Sequence, residues 1–161
     1  MGQGKPQMKL VKNNFEISET IDMFSRRVVP PSVSRVVEKA KEFLTLNDNW
    51  DSYGARKTSP DAVVAAVRWA SELFQEETPT PDVFPVPNGN VQIEWSCYDL
   101  EIEIEIESIT KCSVFFEDLR SNESWEEEFS YDIRKLVAII SELNERHMIA
   151  NQNKVQLRLI M

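Results

Sequence analysis

The side chains best placed to do chemistry are carboxylates. Glu101, Glu103, Glu105 and Glu107 recur at every second position, and Glu94 lies in a similar alternation just upstream. Residues two apart in an extended strand share a face, so this run builds a negative wall rather than a cage. A flat row of carboxylates does not converge on one cation, and no metal or other cofactor is expected. Two facing glutamates, such as Glu94 and Glu101, would split their pKa values as a glycosidase acid and base do. His147 is the single histidine, which excludes multi-His metal sites. It reads as a residue near a helix end that bonds terminal carbonyls rather than as a proton shuttle. Cys97 and Cys112 are too few for a disulfide framework and lack metal-ligand spacing, so both read as reduced, inert thiols.

A second cluster is the turn-rich segment from Asn47 to Ala55, which carries Trp50 and Tyr53. Two large aromatics are costly to leave in water, so they either anchor the loop or meet a ligand. As anchors they need Asp51 to bond nearby backbone and Gly54 to supply a positive φ, the logic of a rigid omega-like loop. As a ligand site they gather Asp51, Tyr53, Gln92 and Glu94 beneath Trp50 and Trp95. That small polar pocket would suit a hydrolase or a metal-dependent enzyme.

The elements that must hold these residues belong to one domain. The chain has 161 residues, 42% of them apolar, enough for a single core. Its net charge of −9 argues against nucleic-acid backbone or an anionic membrane as a direct partner. Only Gly54 and Gly89 lie outside the N-terminal tip, so phosphate-cradling glycine loops are absent. No apolar run approaches the ~18 residues of a membrane span, and Met1 to Pro6 lacks the apolar stretch of a secretion signal. Pro6 stands where an acylation motif beginning at Gly2 needs Ser or Thr. The expected address is cytoplasmic.

Residues 1–31 read as an irregular N-terminal arm, too rich in apolar residues (Leu10, Val11, Ile17, Ile21 among them) to stay undocked. Residues 32–161 read as the folded domain. Its first helix follows Pro30 and Pro31, capped by Ser32 or Ser34, with Val33, Val36, Val37, Ala40, Phe43 and Leu44 as its stripe. A second opens with Ser59 as cap and Pro60 at the first helical position, and buries Val63, Ala66, Val67, Ala70, Leu73 and Phe74. Pro79, Pro81, Pro85 and Pro87 make the following stretch a stiff polyproline-like connector. From Val91 the period becomes two. Matching faces put Ile93 opposite Ile102 and Glu94 opposite Glu101. In the next hairpin, turning through Ser108, Ile109 and Thr110, Ile106 faces Cys112, Ile104 faces Val114, Ile102 faces Phe116, and Lys111 lies opposite Glu107. Residues 125–129 read as a fourth strand. Ser130 and Asp132 open a third helix that buries Ile133, Leu136, Val137, Ile140 and Leu143, and 154–161 read as a short final strand. The expected class is α+β: an antiparallel sheet of about four strands with about three helices mainly on one face.

The segment Trp50-Asp51-Ser52-Tyr53-Gly54-Ala55, with Ser59-Pro60, the proline stretch and Asn88-Gly89-Asn90-Val91-Gln92-Ile93-Glu94-Trp95, resembles a group of small bacterial and phage-associated proteins of unknown function. The resemblance covers about 49–106 and implies an architecture together with an accessory role, antitoxin-like or immunity-like. The charge map points the same way. Residues 91–130 hold twelve acidic and two basic residues, and the rest of the chain nets +1. We therefore expect a non-enzymatic interaction module that meets a basic protein through Glu94, Glu101, Glu103, Glu105 and Glu107. Self-association through the arm is a further expectation.

Overall fold

The computed structural model describes residues 14–25, 28–130 and 132–161. The start of the chain, with its leader and acylation readings and with Leu10 and Val11, lies outside the described residues. Four helices and five strands follow in the order α1 (Asn14–Ser25), α2 (Pro31–Phe43), α3 (Pro60–Leu73), β1 (Asp82–Pro85), β2 (Val91–Cys97), β3 (Leu100–Ser108), β4 (Lys111–Asp118), β5 (Glu123–Phe129) and α4 (Arg134–Ile160). The strands form one antiparallel meander, β1-β2-β3-β4-β5. Alternation does the sorting. Val91, Ile93 and Trp95, Leu100, Ile102, Ile104 and Ile106, and Cys112, Val114 and Phe116 are all buried on one face. Helix α3 packs on β2 and β3, with α1, α2 and α4 around it. The class is α+β, with one more strand and one more helix than expected.

The arm is partly helical rather than irregular. In α1, Ile17 and Ile21 are 1% exposed, and Asp22 pairs with Lys41 of α2. Two buried residues four apart are too few to show a period in sequence, yet they suffice to dock a short helix. The proline connector also hides a strand. Of β1, Val83 alone is fully buried, and Pro85 fits because β1 is an edge strand whose outer backbone needs no partner.

Helix starts differ from expectation in their caps. Pro31 and Pro60 sit at the first helical position of α2 and α3, but neither Ser32, Ser34 nor Ser59 provides a side-chain cap. Ser59 instead donates its backbone N–H to the Gly89 carbonyl at 2.8 Å. Asp132 does serve α4, its carboxylate accepting the Arg134 N–H at 3.1 Å. The last element corrects the expected final strand. Residues 154–160 continue α4, a 27-residue helix, because no proline or glycine follows Arg134 to stop it. His147 therefore lies in mid-helix, not near its end, and Val137 is half exposed rather than buried.

Register is the remaining correction. Ile93 pairs with Ile104 and Glu94 with Glu103, two residues from the expected partners. Tyr98 and Asp99, at φ 56° and 62°, close a two-residue turn in the left-handed region that suits the twist of a hairpin. Between β3 and β4 the expected pairs Ile106–Cys112, Ile104–Val114 and Ile102–Phe116 are present. A bulge between Ile106 and Ser108 places Lys111 beside Ser108 in the ladder, while its ammonium still reaches Glu107 at 2.9 Å.

Candidate functional site

Strand geometry puts every second residue of β2–β5 on the face away from the helices. Glu94 pairs across the strands with Glu103, Gln92 with Glu105 and Ser96 with Glu101. On the other side of β3, Glu101 meets Glu117 and Glu103 meets Phe115, which in turn meets Glu126, while Ser113 meets Glu128. These residues are exposed or half-buried, and no helix among the described residues lies over them. Like charges in opposed positions destabilise a strand pair, so Glu94–Glu103 and Glu101–Glu117 both act against the sheet. Glu103 shows the strain: its carboxyl is raised above the ordinary range, first by desolvation and then by Glu94, Glu101 and Glu126.

How the carboxylates are partnered separates this face from its surroundings. Off the face, Asp99 pairs with Arg120, Glu107 with Lys111, Asp118 with Arg146 and Glu127 with Lys135, while Glu123 has no ion pair among the described residues. On the face, among the described residues, none of Glu94, Glu101, Glu103, Glu105, Glu117, Glu126 or Glu128 forms an ion pair, although the charge of Glu128 reaches Lys111. The hydrogen-bond partners of Glu94, Glu101 and Glu105 are neutral. Gln92 donates to Glu94 at 2.7 Å, Ser96 to Glu101 at 2.6 Å, and the side-chain amides of Asn88 and Asn90 to Glu105 at 2.8 and 2.7 Å. Neutral donors fix the orientation of a carboxylate without cancelling its charge. At the centre, the half-buried ring of Phe115 lies between Glu103 and Glu126. A ring flanked by carboxylates suits the apolar stem and cationic head of lysine or arginine.

Of the residues expected to meet a partner, Glu94, Glu101, Glu103 and Glu105 share this face, and Glu107 sits at the bulge with Lys111. Glu117, Glu126, Glu128 and Phe115 were not singled out from sequence. The parity of Phe115 and Glu117 follows once Cys112 is set opposite Ile106, whereas that of Glu126 and Glu128 follows only from the pairing of β5 with β4.

The loop candidates do not come together. Asp51 Oδ1 accepts the N–H groups of Tyr53 and Ala55 at 2.8 and 3.1 Å, Asn49 accepts that of Gly54, and Gly54 has φ 91°. Trp50 donates its indole N–H to the Arg56 carbonyl at 3.0 Å and lies half-buried against α2 and β1, whereas Tyr53 is 93% exposed. Gln92 and Glu94 face outward. Trp95 faces inward, 3% exposed, stacked edge-on against Phe74 and bonded to the Pro79 carbonyl at 2.7 Å. Adjacent strand residues point to opposite faces, so Trp95 cannot roof a pocket floored by Glu94.

Other reactive groups serve the fold. Asp118 and Arg146 form a buried two-point ion pair, at 3.1 and 2.6 Å, and Arg146 also donates to the Tyr98 carbonyl. Its guanidinium holds the Asp118 carboxyl far below the usual range. His147 Nδ1 shares a 2.7 Å hydrogen bond with the Tyr98 hydroxyl, which ties α4 to the β2–β3 turn. Burial pushes the Cys112 thiol up to about 12, and burial followed by the Glu101 charge raises Cys97. Among the described residues no group of three or more His, Cys, Asp or Glu side chains is arranged to hold a metal ion. Nor is any helix among them long and apolar enough to cross a membrane. Comparison of the chain with protein-family models, with curated proteins and with solved structures gave no match.

Proposed function

We propose that this chain is a non-enzymatic interaction module that docks a basic protein on the outer face of its sheet. The observation that carries the reading is the division of the carboxylates in 91–130: those beside the face, Glu123 excepted, pair with the chain's own cations, and those on it form no ion pair. Surplus charge of one sign on an open face steers an oppositely charged partner and raises its rate of encounter. The partner is a lysine- or arginine-rich protein, which fits an antitoxin-like or immunity-like accessory role against a basic toxin or a nucleic-acid-binding factor. A cytoplasmic setting belongs to the same proposal and agrees with the free thiols of Cys97 and Cys112.

A labelled lysine- and arginine-rich peptide tests this by fluorescence anisotropy at physiological salt. Combining Glu101→Gln, Glu103→Gln and Glu126→Gln is expected to weaken binding by about tenfold or more, each desolvated charge pair contributing on the order of 1 kcal/mol. Combining Glu38→Gln, Glu72→Gln and Glu76→Gln removes as much charge from α2, α3 and the turn after α3 and is expected to change little. Equal losses in the two variants would reduce the effect to bulk charge and overturn the reading.

A further inference from the structure

The helix layer carries a second pair of carboxylates without cations, and these line a groove. On α4, Val137, Ser141, Asn144 and Met148 follow one another at spacings of four, three and four, so they share one face, with Ile140 and Glu145 on its flanks. That face meets the end of α3 and the turn after it, where Thr78 Oγ1 accepts the Gln75 N–H at 2.8 Å and fixes the segment that carries Glu77. Between them runs a groove of about 530 Å³, within the size range of small-molecule sites. Its floor is apolar, with Leu73 and Ile140 both buried.

The charge of that lining has one sign. Glu77 and Glu145 are its ionisable side chains, and neither forms an ion pair among the described residues. Helix α3 ends here with no basic residue in its last turn, so the negative end of its dipole adds to the two carboxylates. Asn144 points independently to a hydrogen-bond donor. It lines the groove, is 6% exposed, and holds its Oδ1 buried with no hydrogen-bond partner. An enclosed carbonyl without a donor is costly. Its Nδ2 is not enclosed, and a half-turn of the amide exchanges the two atoms, which offers the carbonyl to a donor in the groove.

We infer that the α3–α4 groove binds a short aliphatic diamine. Its hydrocarbon chain covers Leu73, Ile140 and Met148, and its ammonium groups bond Glu77, Glu145 and the Asn144 carbonyl. An ammonium has three donors and no acceptor, which matches a lining of carboxylates and an unmet amide oxygen. A monoamine leaves one carboxylate unbalanced, and an alcohol leaves both. The groove lies in the helix layer, apart from the acidic sheet face, and either site can fail without the other.

Isothermal titration calorimetry of the full chain with cadaverine, pentylamine and pentanol at physiological salt tests it. Cadaverine is expected to half-saturate the chain below about 1 mM. Pentylamine is expected to bind at least about threefold more weakly, and pentanol not at all. Combining Glu77→Gln with Glu145→Gln, at a half-buried and an exposed position, is expected to weaken cadaverine binding about tenfold. Asn144→Leu, close in volume, is expected to weaken it at least about threefold. Combining Glu101→Gln, Glu103→Gln and Glu126→Gln is expected to change little. No binding of cadaverine up to about 5 mM, pentylamine binding as tightly, or a loss that follows the sheet glutamates instead of Glu77 and Glu145 would overturn the inference. So would an Asn144→Leu chain that folds and binds unchanged; if that chain does not fold, the carboxylate variant decides. Displacement of cadaverine by the lysine- and arginine-rich peptide would assign the groove to the protein partner and overturn it as well.

Discussion

Glu103 and Asp118 are carboxylates on adjoining strands with opposite fates. The folded chain raises the Glu103 pKa, so the fold binds that proton more tightly than the unfolded chain, and stability falls as pH rises through the window above the ordinary carboxylate value. Glu103→Gln removes the repulsion with Glu94, and is expected to stabilise the protein by a few tenths of a kcal/mol at neutral pH. That gain should shrink toward zero near about pH 4, a comparison urea denaturation at the two pH values makes directly. Arg146 lowers the Asp118 pKa, so its stabilisation is complete above the ordinary carboxylate range and is lost as pH falls through the folded value. Arg146→Gln leaves a buried carboxylate unpaired and is expected to lower Tm by roughly 10 °C. Lys111→Gln breaks only the exposed pair with Glu107 and should cost under about 2 °C.

At the scale of elements, two segments hold each other in place. The loop 47–59 and the turn 86–90 are joined by the Arg56 N–H to the Pro87 carbonyl at 2.9 Å and the Ser59 N–H to the Gly89 carbonyl at 2.8 Å. Gly89 has φ 95°, and a Cβ there would meet the Lys57 carbonyl oxygen at 3.2 Å; Gly54 has φ 91° and open space around it. Gly54→Ala therefore carries backbone strain alone, about 1 kcal/mol. Gly89→Ala adds a clash and is expected to cost about 2 kcal/mol and to quicken proteolysis of the loop 47–59. The same scale shows what the sequence could reveal. The stripes of α2 and α3 and the β3–β4 register were legible, because a one-residue slip would turn glutamates into the core. The β2–β3 register was not, since a two-residue slip keeps every face unchanged and Tyr98-Asp99 has no glycine to announce its turn. Val155, Leu157 and Leu159 alternate like a strand but belong to a helix, and the difference lies in the residues before them, which offer nothing to end α4. For the candidate face, the β3 glutamates were plain, whereas its β4 and β5 members depended on the pairing of distant strands.

For the molecule as a whole, the charge imbalance is a matter of placement. Residues outside 91–130 nearly cancel; within that segment Lys111 and Arg120 pair with Glu107 and Asp99 at the strand ends, and Lys135 and Arg146 of α4 take Glu127 and Asp118. A docking surface of this kind is sensitive to salt, because ~8 Å screening at physiological ionic strength weakens steering between exposed charges. Affinity for a lysine- and arginine-rich peptide is accordingly expected to fall as salt rises from about 50 to about 300 mM. Affinity alone does not say where the peptide sits. The most direct measurement is therefore a two-dimensional NMR titration of the isotope-labelled chain with that peptide, followed residue by residue. The account requires the moving amides to cluster in 92–96, 101–105, 113–117 and 124–128. Shifts confined to the helices, or spread evenly over the surface, would contradict it.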